Sequence, residues 1–187
     1  MQIKSVGFFG GTNLQDGSVG YLILEDLGKQ LALIGIEVIT GALSGAMEAP
    51  AKGATSVENG KARGYTFLGL GCNKYINEPV DCSTFCGEAL VMELQYGVRL
   101  GYLLSSDAFV VTEGNAGTLV EVMAIMNFNS RGWKPQKKVA FIDPSGNWTK
   151  TLNMLKENGF ISESALLPVK IFESSKIQEI INWICEK

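Results

Sequence analysis

Apolar residues recur along this chain in two rhythms, short unbroken runs and spacings of three and four. Ile3 to Phe9 is a short run closed by Gly10-Gly11, the pattern of a buried strand and a tight turn. Leu24, Leu27, Leu31 and Ile34 then mark one face of a helix that Gly35 closes. Ile36 to Thr40 predicts a second strand, Gly41-Ala42-Leu43-Ser44-Gly45 a turn, and a helix beginning close to Met47. Pro50 is tolerated near that first turn, where its missing N–H would have no partner anyway. Gly64 to Leu70 predicts a third strand, Gly71 to Thr84 a long polar loop, and Gly87 to Leu104 a helix. Strand Asp107 to Thr112, turn Glu113 to Thr118 and helix Leu119 to Phe128 follow, then strand Lys138 to Ile142. Thr149 to Asn158 reads as helix, Leu167 to Phe172 as extended, and Lys176 to Cys185 as a closing amphipathic helix.

Strands that alternate with helices need crossover connections. The expected fold is therefore Rossmann-like α/β, three layers in α/β/α order around a mostly parallel sheet. No linker, repeat or low-complexity stretch interrupts the 187 residues, so one nucleotide-binding domain is expected over positions 1–187. A hydrophobic share of 46% against 19% charged residues is enough to cover both faces of a buried sheet.

Charge and cysteine content narrow the picture. A net charge of −3 offers no basic field for a polyanion, so nucleic acid is not an expected partner. The N-terminal run is too short for a signal peptide, and no apolar run reaches the roughly 18 residues that span a bilayer. A cytoplasmic protein with no membrane partner is expected. Cys72, Cys82, Cys86 and Cys185 are expected to be reduced thiols, since a chain of this size can build its core without disulfides. Cys82 and Cys86 are spaced as half a zinc site, but there is no histidine and no second close pair, so no metal is expected.

Three strands end in glycine-rich turns, Gly10-Gly11-Thr12, Gly41 to Gly45 with Met47 following, and Gly114-Asn115-Ala116-Gly117-Thr118. In a parallel sheet all three fall on one edge, where backbone amides and helix N-termini favour an anion. A small phosphorylated ligand is the expected occupant. Each turn taken alone would be explained by sharp chain reversal, and it is their convergence that points to phosphate. The G-x-x-x-x-G-K signature of the P-loop is absent. Nor is the first turn G-x-G-x-x-G, and Glu37 stands at the start of strand two rather than its end, so a dinucleotide cofactor is not expected. Thr118 is placed to start a helix, facing the anion or serving as an ordinary N-cap. Glu121, three residues on, returns its carboxylate to the same end, as a base, an electrostatic stabiliser or a capping-box glutamate.

The stretch Glu113-Gly114-Asn115-Ala116-Gly117-Thr118-Leu119-Val120-Glu121 resembles the P-G-G-x-G-T-x-x-E signature of the Lonely Guy (LOG) superfamily. That superfamily holds cytokinin-activating nucleoside monophosphate phosphoribohydrolases and the molybdenum-cofactor carriers. Gly41 to Ala54 resembles its G-G-G-x-x-G-x-M motif, and Phe9-Gly10-Gly11-Thr12 its strand-one turn. Ser106 to Phe109, Lys134-Pro135, and Gly159-Phe160-Ile161 with Leu166-Leu167 continue the likeness in order along the chain.

The resemblance implies that the signature turn holds a 5′-phosphate, with Gly114, Asn115, Gly117 and Thr118 as its ligands. Glu121 takes the position of the glutamate that assists cleavage between base and ribose 5-phosphate, kept ionised by the helix N-terminus. The family's catalytic arginine falls on Val98 by ungapped counting; Arg99 takes the role if the register slips by one, and is otherwise a solvated surface residue. Glu113 replaces the proline, Asn115 a glycine and Ala42 another glycine. A carboxylate beside a phosphate turn repels phosphate unless it points away or meets a cation. Two functions follow: a nucleoside 5′-monophosphate phosphoribohydrolase, or a non-catalytic carrier or sensor of a nucleotide or the molybdenum cofactor. No lysine stands in the three turns to form a Schiff base, so pyridoxal phosphate is not expected, nor any other resident cofactor. Apolar helices from Gly87 and Leu119 agree with a homodimer, as with burial against the sheet.

Overall fold

The computed structural model of the chain describes residues 2–66, 88–91, 96–133, 135–173 and 176–186. In chain order the elements are β1 (Ser5–Phe9), α1 (Val19–Leu33), β2 (Glu37–Thr40), α2 (Glu48–Thr55), β3 (Ala62–Thr66), β4 (Glu88–Val91) and α3 (Tyr96–Leu104). There follow β5 (Ala108–Val111), α4 (Ala116–Ser130), β6 (Lys138–Ile142), α5 (Asn147–Glu157), α6 (Glu163–Leu166), β7 (Val169–Phe172) and α7 (Ile177–Cys185).

The seven strands among the described residues form one sheet in the order β4-β3-β2-β1-β5-β6-β7, and every neighbouring pair is parallel. Side chains alternate across the strands and feed two cores. Val6, Phe8, Val38, Ala108, Val110 and Ala140 pack with α1, α2 and α7 on one face. Phe9, Ile39, Phe109, Val111, Val139 and Phe141 pack with Leu103 of α3, with α4 and with α5 on the other. The chain works outward from β1 to β4, then returns to β1's other side at β5 and works outward to β7. Such a reversal opens a crevice beyond the strand ends, here between β1 and β5.

Several expectations need correction. Residues 88–91 were expected in a helix from Gly87, but they form a strand whose register against β3 runs from Arg63↔Glu88 to Thr66↔Val91. A short apolar run does not distinguish strand from helix by periodicity, and the free edge of β3 decides the matter by supplying a ladder partner. Ile34 was expected on the buried face of α1; it is the C-cap, 56% exposed, because the helix ends one residue earlier. The helix expected from Leu119 starts at Ala116, and α6 was not anticipated. Positions 67–70 of the third expected strand, the Gly71 to Thr84 loop, and Cys72, Cys82 and Cys86 lie outside the described residues. No described helix is long and apolar enough to cross a membrane.

Candidate functional site

The three glycine turns meet at the ends of β1, β2 and β5 and are tied to one another by hydrogen bonds. Gly11 N–H donates to the Glu113 carbonyl (2.9 Å), Ala46 N–H to the Gly11 carbonyl (3.0 Å), and Ser44 Oγ to the Thr12 carbonyl (3.1 Å). Gly10 and Gly11 are buried in this junction, and Thr12 is exposed beside it. Gly45 has φ +69°, and a Cβ there would come within 2.7 Å of the Gly11 and Thr12 carbonyl oxygens. Only glycine fits that crossing. Ala42, in the same turn, holds a left-handed φ of +57° that an L-residue adopts at a cost.

Asn115, rather than Thr118, caps α4. Its backbone is extended (φ −117°), and its side-chain oxygen accepts from Gly117 N–H at 3.3 Å. The left-handed conformation that asparagine tolerates is not used here. Thr118 lies buried within the first turn, with its hydroxyl against Gly114. The Ala116 and Thr118 amides have no partner among the described residues, so part of the helix N-terminus stays open to an anion.

Farther along α4, Glu121 turns inward and meets Arg99. The Arg99 Nη1 to Glu121 Oε1 distance is 3.7 Å, and the residues are 4% and 6% exposed. Val98 is 44% exposed. Because neighbouring helical positions point about 100° apart, only one of the two can face Glu121, and it is Arg99. The guanidinium is anchored on its other edges, Nε donating to the Tyr65 carbonyl (2.6 Å) and Nη2 to the Gly41 carbonyl (3.4 Å). A Cβ at Gly41 would strike Arg99 Nη2 and lie 2.6 Å from Met47 Sδ, so that glycine makes room for the arginine. The helix N-terminus was expected to help keep Glu121 ionised; burial instead drives its pKa up to about 7, against the pull of Arg99. Desolvation outweighs the helix N-terminus at a position already one turn inside α4.

On the other side of the same turn lies an open cleft of about 490 Å³, over the crevice between β1 and β5. Of the predicted residues, Gly11, Gly114 and Asn115 line it, whereas Gly10, Thr12, Gly41, Gly45, Met47, Gly117, Thr118, Arg99 and Glu121 are not among its walls. Leu14, Ile23, Leu24, Ile142 and Pro144 supply apolar walls, and Asn13, Thr112, Glu113 and Asn147 polar ones. A second hollow of about 200 Å³ adjoins it, sharing Glu113, Gly114, Asn115 and Asn147 and adding Leu119, Trp148 and Thr151.

Glu113 carries no lysine or arginine partner among the described residues; its carboxylate accepts from Asn147 Nδ2 at 3.2 Å. Asn147 itself is held by the start of α5. Buried Asp143 accepts from Trp148 N–H (3.0 Å), Thr149 N–H (2.8 Å) and Thr149 Oγ1 (2.8 Å). Burial disfavours the Asp143 carboxylate, but these hydrogen bonds outweigh it and hold its pKa below the ordinary value. Asn147 was not singled out in the sequence, although its position just after the strand beyond the crevice was a usable signal.

Three comparisons bear on this geometry. Residues 3–160 match the model of the SLOG cluster4 family. The molybdenum cofactor binding protein of the phototrophic bacterium Rippkaea orientalis superposes with a TM-score of 0.67 at 21% identity, over 98% of each chain. The molybdenum cofactor carrier protein of Chlamydomonas reinhardtii superposes with a TM-score of 0.66 at 17% identity, over 99% of this chain and 100% of that one. No curated protein matches the chain.

Proposed function

The chain belongs to the SLOG cluster4 family, and from that premise we propose that it binds a phosphorylated, nucleotide-derived small molecule in the β1/β5 cleft, as a carrier or sensor. The observation that carries this reading is the separation of the cleft from the buried Arg99–Glu121 pair. A cleft of about 490 Å³ with apolar walls and a few convergent polar groups suits one small heterocyclic ligand. The phosphate would sit on the open amides at the start of α4, beside Gly10-Gly11-Thr12 and the Gly41 to Gly45 turn. Gly114, Asn115, Gly117 and Thr118 would shape that seat, with Met47 packing behind it. The molybdenum-cofactor proteins that share the fold support a carrier role at the level of architecture. The reading takes residues 1–187 as one domain. Exposed Val98 and Tyr102 on α3, with Leu119 and Val120 on α4, support a homodimer.

Phosphoribohydrolase activity is the second reading, and the Arg99–Glu121 pair favours it. A carboxylate titrating near neutrality beside a guanidinium can orient water toward an anomeric carbon and stabilise oxocarbenium-like charge. Water would then replace the base, giving free base and ribose 5-phosphate. The test is to incubate the full chain with a panel of nucleoside 5′-monophosphates, following base release by chromatography and binding by thermal shift, with Glu121→Ala in parallel. Stabilisation without release is the expected result. Release by the parent and not by the variant would establish the hydrolase and make Glu121 catalytic.

A further inference from the structure

The position where the signature carries proline is filled here by Glu113, and its surroundings favour a particular ligand edge. Its backbone is fixed because its carbonyl accepts from Gly11 N–H at 2.9 Å. Its side chain reaches across to α5 and borders both hollows. One carboxylate oxygen is engaged by Asn147 Nδ2 at 3.2 Å, and among the described residues neither hollow has a lysine or arginine in its wall. Leu14, Ile23 and Pro144 in the larger hollow offer apolar surface for a flat ring, and the smaller hollow is bordered by Leu119 and by Trp148, itself only 7% exposed. An ionised carboxylate accepts and cannot donate, so the ring edge it meets must present N–H groups.

We infer that Glu113 reads a 2-amino-4-oxo-pyrimidine edge, the adjoining N–H and amino group found in guanine and in pterins. This rests on the proposed use of the cleft for a phosphorylated ligand. Two parallel N–H donors match the two carboxylate oxygens in the same fork geometry that arginine offers. Adenine presents a single amino donor next to a ring nitrogen whose lone pair repels the carboxylate. Hypoxanthine keeps the ring N–H and lacks the amino group. The order of affinity follows as guanine, then hypoxanthine, then adenine. The carboxylate that weakens a phosphate turn thereby serves the base.

Calorimetric titration of the full chain with GMP, IMP and AMP tests this, with Glu113→Gln alongside. GMP should bind about tenfold more tightly than AMP, with IMP between, and the GMP-to-AMP ratio should fall close to one in Glu113→Gln. That ratio is insensitive to any general loss of folded protein. Tighter binding of 6-hydroxymethylpterin phosphate than of GMP would name the pterin as the source of the edge. Equal binding of GMP and AMP by the parent, or an unchanged ratio in the variant, would overturn the inference while leaving the cleft as a phosphate-ligand site. No binding of any of the four compounds would overturn both.

Discussion

The turn from Glu113 to Thr118 divides two regions with opposite physical character. Behind it, Arg99 and Glu121 face each other in a dry setting, with the arginine tied to carbonyls of β3 and the second glycine turn. In front of it, Glu113 and Asn147 stand exposed at a cleft whose walls are mostly apolar. Both regions contain a glutamate with a nitrogen partner. The first is a buried carboxylate facing a guanidinium that is also tied to the backbone. The second is an exposed carboxylate that accepts from a neutral amide. Of the signature stretch, Glu113, Gly114 and Asn115 border the cleft, whereas Glu121 turns away from it toward Arg99.

The largest effect expected from breaking this contrast is on the buried side. Arg99→Leu leaves Glu121 without its cation and removes the donor to the Tyr65 and Gly41 carbonyls. Breaking one partner of a buried pair costs about 3–5 kcal/mol. For a chain of this size that lowers the melting temperature by about 10 °C. Thermal and urea unfolding of the parent and variant would measure it. A loss comparable to that of an ordinary surface substitution, under about 0.5 kcal/mol, would mean the pair is not a structural tie.

A smaller effect follows from titration of the same pair. Burial raises Glu121 from an ordinary value near 4.5 up to about 7, so between those pH values the folded chain holds a proton that the unfolded chain has released. Stability therefore falls as pH rises from about 4.5 to about 7, by an amount on the order of 3 kcal/mol at most. Glu121→Gln, which cannot ionise, should flatten that slope. Urea unfolding at pH 5 and pH 8 gives the comparison. A parent curve that rises with pH across this window would show that the carboxylate stays ionised beside Arg99.

The unequal legibility of the two regions has a physical basis. Local patterns report local structure: short apolar runs placed β1, β2, β5 and β6, and the spacing of Leu24, Leu27 and Leu31 placed α1. The motif placed Glu121 one turn inside α4 because a helix has a fixed pitch. It could not choose between Val98 and Arg99, since that depends on where α3 starts, and α3 starts after a strand that the apolar run at 88–91 disguised as helix. The cleft was least legible. Its walls come from the loop before α1, from α1 itself and from the turn before α5, brought together only by the β1/β5 reversal. No spacing rule joins Glu113 to Asn147 across 34 positions.

The smallest effect on stability, and the sharpest on the open side, should come from Asn115→Gly. Asparagine caps α4 by accepting from Gly117 N–H at 3.3 Å, and glycine at an N-cap gives up only a few tenths of a kcal/mol relative to asparagine. The substitution therefore leaves the fold almost as stable as before. It also frees the Gly117 amide, adding a third donor to those of Ala116 and Thr118 at the positive end of the helix. If the phosphate sits there, GMP and AMP should both gain affinity, by a similar factor of a few-fold, because the change concerns the anion and not the ring. Titration of both nucleotides reads this directly. A gain for one nucleotide alone would mean that Asn115 touches the base. No gain for either would move the anion away from α4 to the Gly10-Gly11 turn, and the front of the site would then be organised around β1 instead.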